Sequence, residues 1–431
     1  MAREYKDSGI DWVKTIPSSW NVIKGKHLLT LLNRPVRETD EIVTCFRDGE
    51  VVLRSERRLE GFTMSDKEIG YQGINKGDVV IHGMDGFAGA MGVSKSTGKG
   101  SPVLIVCNPK YKDNPRYIIY YLRSLAMTNV FLALATGIRE RSCDLRWKKI
   151  AELPFLQPIY SEQEKIADYL DKVCGETDEM IALQEKIIEE LKAYKQSVIT
   201  EAVTKGLNPN VPMKDSGIDW IGEIPEHWSL EPLKYCFGRR SEKNHPIKTK
   251  ERLSLSIDKG VTLYAEKTTN LDRFKDDFTQ YQLAYPNDIV LNCMNMIVGA
   301  VGLSHYLGCV SPVYYVIYPI NSKVDALYYS YLLNIPTIRG VYFSLGKGIY
   351  AIERGEGRVN TCRLKVSYND FGRLEIPIPP INEQKEITAF IQGKNTEIDS
   401  LIALKQQKIE ELKKYKKSVI YEYVTGKKEV V

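Results

Sequence analysis

A chain of 431 residues, 43% hydrophobic and 27% charged, has the balance of an ordinary globular protein and the length for roughly three domains. No apolar run approaches the roughly 20 residues that span a bilayer, and the opening MAREYKDSGIDW has no apolar signal core, so neither membrane insertion nor export is expected. Eight cysteines without a CxxC pair or nearby histidines read as free thiols in a reducing cytoplasm, and a net charge of +5 is too small to indicate nucleic acid by itself.

In chain order, the first element is Lys6 to Trp20, KDSGIDWVKTIPSSW, which returns as KDSGIDWIGEIPEHW from Lys214 to Trp228 with ten of fifteen positions identical. VVIHGM and SPVLIVC follow as short β-branched runs bounded by Gly, Pro or Ser, and Pro115 to Thr128 reads as a helix with an aromatic face. Beyond Pro158, Ser161-Glu-Gln-Glu164 has the pattern of a capping box. From there Ile166, Leu170, Val173, Thr177, Ile181, Ile188, Leu191 and Val198 recur at spacings of three, four or seven, predicting one long helix with a coiled-coil-like seam that stops at Gly206. A Pro- and Gly-punctuated linker, residues 206–212, leads into the second copy.

The second copy repeats this order. DIVLNCM and SPVYYVIYP are its strands, and Asp325 to Ile335 is its aromatic helix. After Pro379-Pro380, with Asn382 as the expected cap, a second seam runs through Ile387, Ile391, Ile398, Ile402, Ile409, Leu412 and Val419 to Gly426. The helix endings EELKAYKQSVI and EELKKYKKSVI share nine of eleven positions. Gly175 and Gly393 predict a bend or break in each helix. A single apolar stripe needs a partner. The duplicate helix is the expected one, antiparallel to the first; helices of another subunit are the alternative.

The expected architecture is therefore two tandem α/β (α+β) domains separated by two long antiparallel coiled-coil-like helices, a pseudo-two-fold internal repeat. Its boundaries are 1–155 and 208–378 for the domains, and 156–207 and 379–431 for the helical regions. The copies match closely at their ends and only as a skeleton in their middles: Asp78 with Asp288, Gly89 and Gly92 with Gly299 and Gly302, Ser101-Pro102 with Ser311-Pro312. The first helical region, Ser161 to Lys205, carries 11 acidic and 6 basic residues, and the second, Asn382 to Lys428, carries 7 and 10. Those sums, −5 and +3, leave about +7 of the total +5 on the remainder, mostly the two middles, a bias suited to phosphate.

No catalytic or metal-binding residues are assigned. There is no GxxxxGK[ST], and Asn108-Pro109-Lys110-Tyr111 lacks the second proline of an adenine methyltransferase loop. Glu383-Gln384-Lys385 reads as helix capping rather than half of a nuclease motif, and the five histidines stand apart. The basic clusters are the candidates for DNA contact: Arg54, Arg57 and Arg58; Arg139 and Arg141 in a glycine-led loop; and Lys347, Arg354 and Arg358 in its counterpart. Arginine can grip guanine or phosphate with two donors, although interleaved Glu140, Glu353 and Glu356 equally suit solvated loops with local ion pairs. Asn292 and Asn295 suit either adenine reading or a turn, and Tyr264, Tyr281 and Tyr285 suit packing.

Leu153-Pro154 to Gln163 and Ile376-Pro377 to Gln384, each leading through Glu-Gln into a long helix, resemble the specificity subunits of type I restriction–modification systems. The helix endings and the two KDSGIDW openings extend the likeness over essentially the whole chain, with small departures at Tyr160-Ser161 and Lys385. The resemblance implies a cytoplasmic, non-catalytic subunit. Its two target recognition domains would each read one half of a bipartite asymmetric site in double-stranded DNA, and its helices would dock two modification (methyltransferase) subunits. S-adenosylmethionine, and ATP with Mg, would then belong to partner subunits, the latter to restriction subunits where a complex has them. A structural coiled-coil adaptor without a nucleic-acid role and a stand-alone DNA-modifying enzyme are the competing classes.

Overall fold

The computed structural model describes residues 3–57, 69–133, 145–266, 277–349, 353–354, 358–359 and 363–430. The chain divides into two units, Met1–Glu185 with Gln406–Val431, and Lys186–Lys405.

In the first unit β1 (Leu29–Leu31), β2 (Val79–His82), β3 (Met91–Val93) and β4 (Leu104–Pro109) form an antiparallel sheet in the order β1-β4-β2-β3. The predicted runs make its central strands, and their unbroken apolar character has a physical cause, because both faces of the sheet are covered. Val79, Ile81 and Cys107 face the main core, while Val80, Leu104 and Val106 join Val43, Val51 and Ile74 in a second, smaller core. Helix α1 (Pro115–Met127) closes the main core; Asn114 caps it by accepting from Arg116 N at 2.9 Å, with Pro115 in the first turn where no N–H is needed.

The second unit repeats this plan with β5 (Phe237–Arg240), β6 (Ile289–Asn292), β7 (Val301–Leu303) and β8 (Tyr314–Pro319) in the order β5-β8-β6-β7. Helix α2 (Ala326–Leu332) is capped by Asp325, which accepts from Tyr328 N at 2.9 Å. A further helix, Pro336–Leu345, was not apparent from the sequence pattern.

The two long helices, Tyr160–Lys205 and Ile381–Val424, are each continuous, so the break expected at Gly175 and Gly393 is absent. A glycine costs about 1 kcal/mol in a helix, too little to interrupt one whose ends are fixed by packing. The helices pack together. In the first unit the Tyr169 and Tyr423 rings lie 4.5 Å apart and Lys416 Nζ reaches Asp178 at 2.6 Å, so one number rises as the other falls and the two helices run antiparallel there. In the second unit Lys195 reaches Asp399 at 2.7 Å. Of the predicted seam, Ile166, Leu170, Ile188, Ile387, Ile391, Ile398, Ile409 and Val419 are buried. Ile181, Leu191, Val198, Ile402 and Leu412 are half-buried.

The expected capping residues do something else. Both helices begin one residue before Ser161 and Asn382, and the Glu-Gln pairs of their first turns fasten them to the domains. Glu162 accepts from the buried Trp20 Nε1 at 3.0 Å; Glu383 accepts from the buried Trp228 Nε1 at 3.0 Å. Gln163 accepts from Asn114 N at 2.7 Å and donates to Pro158 O at 2.9 Å and Asp113 Oδ1 at 2.7 Å. Gln384 accepts from Asp325 N at 2.8 Å and donates to Lys323 O at 2.7 Å and Pro379 O at 2.8 Å.

Each unit also holds the end of the other helix. Tyr117 Oη donates to Val424 O at 3.3 Å, and Tyr328 Oη donates to Val203 O at 2.7 Å. The helix-ending glycines take left-handed backbone, φ +75° at Gly206 and +70° at Gly426. A Cβ on Gly426 would lie 2.5 Å from Pro17, and one on Gly206 3.3 Å from Trp228. The duplicated Pro, Trp, Glu, Gln, Tyr and Gly thus form one clasp, built twice.

Replacing Gln384 with alanine leaves the Asp325 N–H and two carbonyls without their partner at a fully buried site, and should lower unfolding free energy in urea by about 2–4 kcal/mol. The exposed neighbour Lys385→Ala should stay within about 0.5 kcal/mol of the parent. Equal midpoints for the two variants would show that the glutamine does not hold the helix.

Candidate nucleic-acid interface

Each sheet is braced by a buried carboxylate that immobilises an arginine. Asp78 accepts from Asn75 N and Asn108 Nδ2, each at 2.8 Å, and pairs with Arg34. Asp288 accepts from Tyr285 N at 2.8 Å and from Arg240 Nε and Nη2 at 2.6 and 3.0 Å. Hydrogen bonding to the carboxylate raises the pKa of both guanidinium groups. Arg240 is further enclosed by Tyr285 at 4.5 Å and Tyr318 at 4.6 Å. The sequence reading marked Asp78 and Asp288 as a shared skeleton without their partners, because the arginines are 44 and 48 residues away.

The predicted contact residues separate. Arg57 pairs with Asp48 and Glu50 and lies 4.3 Å over the Phe46 ring; hydrogen bonding to Arg57 in turn holds Asp48 below the usual carboxylate range. Arg54 donates from Nε to Thr44 Oγ1 at 3.2 Å. Both line an open recess of about 590 Å³ with Arg47, His82 and Asp85. Burial pushes the His82 imidazole down, so near neutral pH this recess carries arginine charge rather than histidine charge. Arg58, Arg139 and Arg141 lie outside the described residues.

The described residues of the glycine-led segment of the second unit form paired strands, not the expected loop. Strand Lys347–Ile349 pairs with Arg363–Lys365, setting Lys347 opposite Lys365, and Glu353–Arg354 pairs with Arg358–Val359, setting Arg354 opposite Arg358. Gly346 is needed for close packing, since a Cβ there would meet Leu364 Cβ at 2.9 Å. Lys347 and Lys365 are both exposed. Asn292 accepts from Met294 N at 3.1 Å and so forms a turn.

One residue escaped the sequence reading. Arg239 is exposed and lies over two rings, 5.2 Å from Tyr315 and 4.9 Å from Tyr368. The Arg239-Arg240 dipeptide was its only local signal. Strand alternation sends the second arginine to Asp288 and the first to the opposite face, where it lies exposed at the rim of the main core over Tyr315. Among the described residues no group of three or more His, Cys, Asp or Glu is placed to hold a metal ion, and no helix is long and apolar enough to cross a membrane.

Asp288→Asn should cost about 2–3 kcal/mol in urea, less than the 3–5 of a fully buried pair because Arg240 keeps some water. Arg57→Ala, removing a half-exposed pair, should cost about 0–1 kcal/mol. A large loss for Arg57→Ala would make its ion pairs part of the fold rather than of a surface.

No protein-family model matches the chain. It is 25% identical over 380 residues, 84% of this chain and 76% of the relative, to the putative type I restriction enzyme MjaX specificity subunit of Methanocaldococcus jannaschii. It is 24% identical over 431 residues, 96% of this chain and 93% of the relative, to the type I restriction enzyme MjaVIII specificity subunit of the same organism. Among solved structures, its fold matches a chain from work on complex assembly and conformational transition of the type I R-M system, with a TM-score of 0.67 and 13% identity over 95% of this chain and 99% of that one. The HsdS subunit from Thermoanaerobacter tengcongensis matches with a TM-score of 0.50 and 14% identity over 95% and 98%. The likeness is to type I specificity subunits, in sequence and in fold, along nearly the whole chain.

Proposed function

We propose that this chain is the non-catalytic DNA-specificity subunit of a type I restriction–modification complex. Each unit reads one half of a bipartite asymmetric site in double-stranded DNA. The paired helices fix the two units in one assembly and dock two modification subunits, which bring S-adenosylmethionine and transfer the methyl group to adenine. ATP and Mg belong to restriction subunits, where the complex has them.

The observation that carries this reading is a division of labour between repeated and unrepeated residues. The closely repeated segments build the clasp, from Trp20, Glu162, Gln163, Gly206 and Gly426 to their counterparts. The divergent middles present the accessible cations, Arg239, Lys347 and Lys365 in one and the Arg54–Arg57 recess in the other. A frame kept constant under two independently varied surfaces suits a protein that must address two different sequences with one assembly. A coiled-coil adaptor would give no reason for such surfaces to diverge.

Methylome sequencing of cells with and without this chain should display a bipartite methylated motif that disappears on deletion. Exchanging residues 21–150 for the equivalent segment of a relative should change one half of that motif and leave the other intact. A swap that altered both halves or neither would defeat the modular reading.

A further inference from the structure

Strand register lays the two sheets on a common frame. Val79 pairs with Cys107, which pairs with Leu31; Ile289 pairs with Ile317, which pairs with Arg239. Val79 and Ile289 directly follow the counterparts Asp78 and Asp288, so Leu31 and Arg239 occupy one position of the frame. A second tie agrees: Leu145 N donates to Gly83 O at 2.8 Å, and Val366 N donates to Cys293 O at 3.2 Å. Two residues further on, Trp147 corresponds to Tyr368, each opening a short helix, Trp147–Glu152 and Tyr368–Gly372.

The same place therefore carries two chemistries. In the first unit Leu31, 45% exposed, Met84, 55% exposed, and Trp147 line an open recess of about 530 Å³. In the second, Arg239 lies over Tyr315 and Tyr368. Lys365 is close by, since Tyr315, one of the two rings under Arg239, donates from Oη to the carbonyl of Val366, the lysine's chain neighbour, at 2.8 Å. Among the described residues none of Arg239, Lys347 and Lys365 makes an ion pair, whereas Arg240 and Arg57 are each held by carboxylates. Lys347 and Lys365 stand directly opposite, a like-charge cross-strand pair that destabilises this strand pairing until an anion lies against it. A guanidinium already oriented by two rings loses little freedom on binding and presents its donor fork at a fixed angle.

We propose that this frame position is where each unit reads its half of the duplex: Arg239 grips a guanine edge, with Lys347 and Lys365 on neighbouring phosphates, and Leu31, Met84 and Trp147 give the first unit an apolar reading suited to the thymine methyl. The proposal rests on the DNA-specificity reading above and names the residues that carry it. The first unit carries Leu31 at the arginine's position, and the guanidinium in its recess, Arg146, comes from beside Trp147 instead, so the two half-sites differ in kind at that base pair.

The test is selection from a randomised duplex pool by the assembled methyltransferase complex, followed by affinity for the selected and a scrambled duplex at two salt concentrations. Arg239→Ala should erase a guanine preference at one position in one half-site, weaken the selected duplex by about 5- to 150-fold and leave the scrambled duplex unchanged. Arg239→Lys, which keeps charge but not the fork, should lose the same preference. Lys365→Ala should weaken both duplexes alike and make the salt slope shallower by about 1. Leu31→Ala should alter preference only in the other half. Urea midpoints equal to the parent's confirm that the exposed substitutions leave the fold intact. Unchanged selection by Arg239→Ala, or uniform weakening of every duplex, overturns the proposal while the specificity-subunit reading stands. A parent complex that selects no sequence at all overturns both.

Discussion

The rest of the structure depends on a hydrogen-bonded junction: a glutamate and a glutamine in the first turn of a long helix, anchored to an indole N–H and to the start of the domain's own helix. Gln163 and Gln384 are almost completely buried, so their amides have no water to fall back on. Each amide meets a backbone N–H and two oxygens, which fixes both ends of its dipole and the direction in which the helix leaves the domain. The apolar contacts behind it, Ile166 and Leu170 in one unit and Ile387 and Ile391 in the other, supply most of the favourable energy but little direction. Direction comes from the amide.

That junction explains why the repeat is uneven. Its tryptophan, glutamate and glutamine lie toward the edges of each copy, and changing any one of them strands a buried partner, whereas Asn114 and Asp325 in the middles enter through backbone N–H groups and differ. The sheet faces have no such constraint once Asp78 and Asp288 have fixed Arg34 and Arg240. Leu31 and Arg239 lie on the main-core face but at its exposed rim, two residues along the strand from the buried Leu29 and Phe237, where a side chain reaches past the core and can vary. Leu31 and Arg239 share a frame position on that account: the frame specifies the backbone there and leaves the side chain open.

Much of the fold was readable from local pattern. Continuous β-branched runs located the central strands, and the three-four spacing located the paired helices, because both signals come from burial on a regular lattice. Ser161 and Asn382 misled for a related reason: Glu and Gln in a first turn are the residues of a capping box, and their real partners, Trp20 and Asn114 or Trp228 and Asp325, lie 49 to 155 residues away. The candidate site was harder. That Arg57 meets Asp48 and Glu50 depends on Val43–Cys45 pairing with Val51–Leu53, and that Lys347 stands opposite Lys365 depends on two strands whose glycines and charges give no strand signal. Arg239 needed more still. Its prominence follows from which face of β5 its neighbour Arg240 takes, a matter of register, and register is set by the whole sheet.

The division of the chain into units also has a consequence for the order in which the protein is made. The second unit is one uninterrupted stretch, whereas the core of the first contains Val419, Ile420 and Val424 from the far end. The ribosome therefore completes the later unit first. At about 5–20 residues per second, the first unit waits roughly 10–45 s after Glu185 emerges before its last segment begins to appear. During that interval Ile166, Leu170 and Trp20 lack one wall of their core. A translation product that stops short of the final helix would carry that apolar surface permanently, marking it for chaperones and proteases rather than for assembly.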